Sequence, residues 1–389
     1  MVVGGFGLAV LVGTLLLMLP VAQTGIDWTD PVTALFTATS AVCVTGLVVV
    51  DTGTYWSTFG EVVILALIQV GGLGTMTLAS LLGLAISRKL GLRARVTAAT
   101  ETKAVGLGDV REVVIGVART SLVVELAVAV VLALRFWAAY DVSPGRAAYL
   151  GVFHSVSAFN NAGFALWPDS LVRFATDPWI CLPIAASVIV GGIGFPVILE
   201  LRKRLRTPRA WSMHTKMTLW ATAVLLVLGT LVITANEWRN PATLGQLDTP
   251  GRLLAGFFQA VMPRTAGFNS VDTGAMLEGS LLVTVVLMFI GGGSAGTAGG
   301  IKVTTFVLLL LVIWAEVRGE RDVQAFDRRI GERVVRQALT IALLSVGLVT
   351  AATVVLVEIT RMSTHLVLFE VVSAFGTVGL STGITADVG

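Results

Sequence analysis

Along the chain, apolar stretches of about twenty residues alternate with short segments that carry most of the charge. Long apolar stretches fall at 1–21, 57–86, 112–137, 177–200, 215–236, 279–314 and 334–361. Each is long enough to cross a bilayer as a helix, which takes about 20 residues. Four shorter apolar stretches lie at 29–41, 144–158, 250–261 and 363–374. At about half the crossing length they read as re-entrant helices that dip into the bilayer and return as extended loops. Pro31, Pro144 and Pro250 mark their starts, since a proline in the first turn loses no hydrogen bond. Ser143 and Thr249 are the candidate N-caps. Residues 1–21 lack a basic leader and a convincing cleavage site, so they read as a first span, not a signal peptide.

The short stretches end in related sequences: TATSAVCVTGL (37–47), HSVSAFNNAGF (154–164), FFQAVMPRTAGF (257–268) and FEVVSAFGTVGL (369–380). Aligned on Gly46, Gly163, Gly267 and Gly379, they are spaced 117, 104 and 112 residues apart. Three of the four carry Ser-Ala five or six residues before the glycine. A second glycine cluster begins 25, 28 and 24 residues after the first three: 71–74, 191–194 and 291–293. Such periodicity predicts four copies of one unit: span, short helix, glycine loop, span, basic loop. The copies occupy 1–90, 91–205, 206–325 and 326–389, the last without a closing span. The predicted fold class is an all-α integral membrane protein with four pseudo-symmetric repeats around a central pore.

Charge orients this arrangement. Of 27 Lys and Arg, six lie in 87–112, six in 201–216 and six in 315–336. The positive-inside rule makes the loops 87–111, 201–214 and 315–333 cytoplasmic. Being flanked by spans, these clusters do not read as nucleic-acid sites. The intervening segments hold Asp27, Asp30, Asp51, Asp141, Asp169, Asp177, Asp248, Asp272 and Glu278, and fall outside. Only 13% of residues are charged, too few to coat a soluble protein of 389 residues. Cys43 and Cys181 form no metal-ligand spacing and leave the redox compartment open.

An extended loop in a bilayer is tolerated only where it is buried in protein or lines a wet cavity. Four such loops can close a ring whose carbonyls replace the water around a dehydrated cation. Short helices aimed at the centre add about half a negative charge each at their C-terminal ends. Glycine suits the ring because inward-facing carbonyls require positive φ. Asp51 and Asp272, five residues after their glycines, would concentrate cations at the mouth.

These loops resemble the Trk/Ktr/HKT superfamily of potassium transporters over the whole chain, and the absence of an extra leading helix pair looks more like the KtrB type than the TrkH type. SAVCVTGLVVVD (40–51), SAFNNAGF (157–164), MPRTAGFNSVD (262–272) and SAFGTVGLSTG (373–383) carry the likeness. The resemblance implies a filter built by Val42, Cys43, Val44, Thr45 and Gly46; Phe159, Asn160, Asn161, Ala162 and Gly163; Arg264, Thr265, Ala266 and Gly267; and Phe375, Gly376, Thr377, Val378 and Gly379. Glycine at all four ring positions argues for potassium, since members with serine in the first filter favour sodium. It also implies an intramembrane gate formed by Gly291, Gly292, Gly293, Ser294, Ala295, Gly296, Thr297, Ala298, Gly299, Gly300 and Lys302. Read as a phosphate loop, the same stretch fails, because Ile301 separates Gly300 from Lys302 and no strand precedes it. Implied partners are membrane lipid, a second copy of the chain, and a KtrA/TrkA-like cytoplasmic ring with nucleotide-binding domains. No cofactor is expected in the chain; K+ is the transported ion, with Na+ as a coupling or activating ion left open. The resemblance further implies a chain that continues past residue 389 into a closing span bearing a basic residue.

Arg264 is expected to order its loop by donating to carbonyls or to Asp272 or Asp51. Lys302 is expected to face the cavity or to snorkel towards the cytoplasm. Asn160 and Asn161 are read as offering backbone rather than side-chain oxygens. His154, His214 and His365 read as packing residues, and Glu125 as facing the bundle interior, with Arg119 or another span as partner. Two other classes explain less. An inverted-repeat secondary transporter is opposed by the common orientation of the units. An enzyme would need a cluster of His, Cys, Asp or Glu in the spans, which the sequence does not carry.

Overall fold

The computed structural model describes residues 2–25, 27–89, 107–320, 322–325 and 328–388. The basic residues Arg93, Arg95, Lys103 and Arg321 lie outside them. The described residues are mostly helical: α1 (Val2–Met18), α2 (Pro31–Val42), α3 (Thr52–Tyr55), α4 (Thr58–Lys89), α5 (Leu107–Ala139), α6 (Pro144–Phe159), α7 (Pro178–Ile193), α8 (Phe195–Arg204), α9 (Met213–Glu237), α10 (Thr249–Val261), α11 (Glu278–Phe289), α12 (Val303–Val317), α13 (Glu332–Thr360), α14 (Thr364–Phe375) and α15 (Thr385–Val388). A two-residue ribbon, Gln324–Ala325 with Arg328–Arg329, sits in the third basic loop.

Among the described residues, four helices are long and apolar enough to cross a membrane, and α7 adds a shorter apolar helix that turns by 100° into α8. The protein is therefore a multi-pass membrane protein. Its outer face is apolar: Leu343, Leu344 and Ile359 on α13 are each about 70% exposed, as suits contact with acyl chains. Buried polar groups such as Glu125, His154 and Arg264 lie inside.

The four short helices α2, α6, α10 and α14 stand at the expected places, with their ends shifted by at most two residues. Their caps follow expectation only in part. Asp30 caps α2 by accepting from the Val32 and Thr33 amides. Asp248, not Thr249, caps α10, because its carboxylate reaches the Gly251 amide at 3.0 Å. Ser143 occupies the cap position of α6 but its hydroxyl makes no capping bond.

Two predicted spans are not single helices. The stretch 177–200 bends by 100° between α7 and α8. Gly194, at φ 93° and ψ 145°, makes the break, and Pro196 follows it in the first turn of α8. Such a conformation is open to glycine and closed to other residues. The stretch 279–314 splits into two helices, α11 and α12, around a non-helical loop, 290–302, where an intramembrane loop over 291–302 was expected. The first glycine cluster, 71–74, behaves differently and stays inside the continuous α4.

Candidate ion pathway

At the end of each short helix the chain leaves the helical conformation in the same way. Thr45, Ala162 and Val378 donate to the carbonyls of Ser40, Ser157 and Ser373 at 2.7, 2.7 and 2.8 Å. Val44, Asn161 and Thr377 donate to Ala41, Ala158 and Ala374. This paired 6→1 and 5→2 bonding is a Schellman cap, whose turning residue takes positive φ. Here that residue is not glycine: Val44, Asn161 and Thr377 have φ of 56, 58 and 48°, and Thr265 has 69° in the third loop. The third loop is built differently, with Ala266 and Gly267 both donating to Met262. The recurring Ser-Ala has its explanation in these caps. Beyond the backbone bond, the Ser40 hydroxyl donates to Leu47 at 2.7 Å and the Ser157 hydroxyl to Phe164 at 2.8 Å, bracing the chain just past each glycine.

Two residues further on, Gly46, Gly163, Gly267 and Gly379 also have positive φ, from 70 to 89°. They meet head to tail. A Cβ on Gly46 would lie 2.1 Å from the Ala162 oxygen; on Gly163, 2.7 Å from Ala266; on Gly267, 2.4 Å from Val378; and on Gly379, 2.4 Å from Thr45. The sequence of contacts returns to its start, so the four loops close a ring too tight for any side chain at the glycines. Among the described residues, the Thr45, Ala162 and Val378 carbonyls accept no hydrogen bond, whereas Ala266 accepts from Phe268 at 3.0 Å.

On one side of the ring lies a cavity of about 320 Å³ lined by all four glycines, Asp51 and Asp272. Both aspartates also cap turns: Asp51 takes the Thr54 amide at 2.8 Å and Asp272 the Gly274 amide at 2.9 Å. On the other side, loop 290–302 approaches the ends of the short helices. Thr297 donates to the Asn161 side-chain oxygen at 3.0 Å and reaches the Phe159 carbonyl at 3.4 Å. A Cβ on Gly299 would lie 2.2 Å from the Thr377 hydroxyl and 2.3 Å from the Gly376 carbonyl. The loop is internally bonded, Gly291 to Ile301 and Val303 to Gly292, each at 2.9 Å. Lys302 curls back onto it and donates to the Ala298 carbonyl at 2.5 Å.

Predicted residues 42–46, 159–163, 264–267 and 375–379 thus come together at the ring, and loop 291–300 meets it through Thr297 and Gly299, with Lys302 folded onto the loop. Three side chains take courses the sequence did not reveal. Arg264 is buried and turns away from Asp51 and Asp272. Its guanidinium donates to the Gly291 carbonyl at 3.2 Å and stands 3.5 Å from the Thr222 hydroxyl, tying the third loop to the start of 290–302. Asn160 turns back to Gln69 at 3.0 Å and Glu125 at 3.2 Å. Asn161 donates to the Arg264 carbonyl at 3.3 Å.

Glu125 is paired with Gln69 at 3.1 Å and with Asn160, not with Arg119. His154 is wholly buried between the Leu150 carbonyl at 2.8 Å and the Leu166 amide at 3.3 Å, and stacks on Trp167. The mid-span glycines have a packing role visible only in three dimensions. Gly71 and Gly191 admit the Val42 and Phe159 carbonyls, which end α2 and α6, to within about 2 Å of where a Cβ would stand. Between α2 and the pair α13–α14 runs an apolar cleft of about 590 Å³, lined by Phe36, Leu47, Leu348, Leu356 and Phe375.

A multi-pass helical protein whose short helices end in a ring with three uncommitted carbonyls belongs to the class of ion-translocating membrane proteins. The match is specific: residues 11–388 fit the family model TrkH, cation transport protein, and the chain belongs to that family. It is 44% identical over 386 residues to the Ktr system potassium uptake protein B of Bacillus subtilis, covering 99% of this chain and 85% of that one. It is 36% identical over 392 residues to the potassium/sodium uptake protein NtpJ of Enterococcus hirae, covering 100% and 86%. The crystal structure of the potassium transporter TrkH from Vibrio parahaemolyticus superposes with a TM-score of 0.75 at 21% identity, over 98% of this chain and 77% of that one. The chain is a transport protein and not an enzyme.

Proposed function

We propose that the protein takes up potassium by gated, channel-like permeation down the electrochemical gradient, with the four-glycine ring as its selectivity filter. The observation that carries this reading is the closure of the ring with three carbonyls free to face a cation. Ions would gather in the mouth beside Asp51 and Asp272, shed water against the carbonyls, and enter the bilayer interior on the field of the helix C-terminal ends. Loop 290–302 is the gate in this reading. It stands directly against the ring, and its hydrogen bonds to Asn161 and Arg264 hold the blocking position. A cytoplasmic ring of nucleotide-binding subunits would act on the gate, and the transporter would work as a homodimer. The Bacillus relative is named as protein B of a Ktr system, which supports a multi-subunit assembly.

The test is growth of a potassium-uptake-deficient bacterium at low potassium, expressing this chain or its Gly46→Ser variant with a cognate regulatory subunit. Rescue that the variant loses or turns sodium-sensitive is the expected result. Rescue indifferent to Gly46→Ser contradicts the filter. Failure by well-expressed protein contradicts potassium uptake. The potassium/sodium name of the Enterococcus relative makes sodium the second ion to measure.

A further inference from the structure

Helix α8 leaves α7 at 100°, so where α7 crosses the bilayer α8 lies close to the membrane plane. Its first turn is apolar, with Phe195 and Val197 buried against the bundle. Its far end and the following turn carry Arg202, Lys203, Arg204, Arg206 and Arg209 without one acid among residues 201–210. All five are exposed. Arg204 donates to the Ala210 carbonyl, while no ion pair among the described residues engages the other four. The nearby acid, Glu200, is already held by the Ser212 amide at 2.7 Å, the Ser212 hydroxyl at 2.6 Å and the Thr215 hydroxyl at 2.5 Å. Leu205, 66% exposed, stands among the cations, and Trp211 anchors the turn through its indole N–H on the Arg204 carbonyl at 2.9 Å.

The start of α8 is also bonded to loop 290–302. Phe195 donates to the Ala295 carbonyl at 3.1 Å. In return Gly293 and Thr297 donate to the Gly192 and Gly191 carbonyls at 2.7 and 3.2 Å. No flexible linker separates the basic surface from the loop.

We infer that the α8 basic segment is a docking surface for anionic phospholipid headgroups of the cytoplasmic leaflet, and that its occupancy biases loop 290–302. Clustered cations beside a membrane, interleaved with an exposed leucine and a tryptophan, match the charge and depth of lipid phosphates. The second half of this inference rests on the gate reading above; the first half does not.

The full chain is reconstituted in phosphatidylcholine vesicles with and without phosphatidylglycerol, alongside the combined variant Arg202→Gln, Lys203→Gln, Arg206→Gln and Arg209→Gln. Potassium flux is one readout. The other is quenching of Trp211 by brominated phosphatidylglycerol against brominated phosphatidylcholine, isolated by difference from Trp211→Phe. Wild-type flux is expected to change by roughly fivefold or more with the anionic lipid, and the variant to be nearly flat. Trp211 quenching is expected to favour the anionic lipid in wild type only. Equal quenching by both lipids overturns the docking surface. Selective quenching with lipid-indifferent flux overturns the coupling to the loop. Selective quenching with no flux in any lipid upholds the surface and overturns the conduction reading instead. A variant that keeps its lipid response and loses only the response to an added cytoplasmic subunit makes the segment a protein dock and overturns the proposal.

Discussion

Val44, Thr265 and Thr377 are β-branched residues held at positive φ beside the ring. A non-glycine residue in this region costs about 1–3 kcal/mol and persists only where its surroundings over-determine it. Here the surroundings are the cap bonds to the preceding helix and close packing, with Val44 only 1% exposed. Glycine would relax the backbone, so Val44→Gly should leave the protein folded while loosening the Thr45 carbonyl. The expected outcome is a lower potassium-to-sodium permeability ratio, read from reversal potentials in a planar bilayer. The gate reading makes a second demand. Thr297→Val keeps the side chain's shape but removes its hydrogen bonds to Asn161 and Phe159. Basal potassium flux into vesicles without any regulatory subunit should rise severalfold, as expected from losing roughly 1 kcal/mol of a closed-state contact. Unchanged or reduced flux would argue that Thr297 does not hold the loop shut. None of this was legible from residue types. The Ser-Ala recurrence could be seen, but its purpose, a serine carbonyl taking the cap bond and, at Ser40 and Ser157, a hydroxyl bracing the loop as well, depends on the Schellman turn.

At the scale of elements, the short helices and most spans could be read from hydrophobic run length and proline position. Three similar glycine clusters, however, have three outcomes: α4 passes through 71–74 unbroken, α7 breaks at Gly194, and 290–302 leaves the helix altogether. Local composition does not separate them; neighbours do. Gly194 faces the Ser294 carbonyl, with 2.3 Å between that oxygen and a built Cβ, while Gly71 packs beside the carbonyl that ends α2. Arg264 is a similar case: its tie to Gly291 spans 27 residues and a helix, and Asp51 and Asp272, each five residues past a loop glycine, were the nearer candidates on paper. Gly194→Ala combines a positive-φ penalty with this overlap. It should lower the midpoint of thermal unfolding in detergent and alter flux together, because the α7–α8 break and the loop share hydrogen bonds. A stable variant with normal flux would show that the two elements are not coupled.

For the whole molecule, the apolar exterior follows from composition, and the three basic loops set the expected membrane orientation. The ring itself belongs to no single repeat. Each glycine is closed off by a carbonyl from the next loop, so the geometry exists only when all four loops are assembled. That is why four copies at spacings of 117, 104 and 112 residues carry more weight than any one motif. The central claim is that this ring binds potassium. Thallium is a potassium mimic with strong anomalous scattering, and a crystal of the protein soaked in it tests the claim most directly. The account predicts an anomalous peak on the axis of Gly46, Gly163, Gly267 and Gly379, within reach of the Thr45, Ala162 and Val378 carbonyls, that weakens as potassium is added back. Peaks confined to the mouth aspartates, with none in the ring, would contradict it.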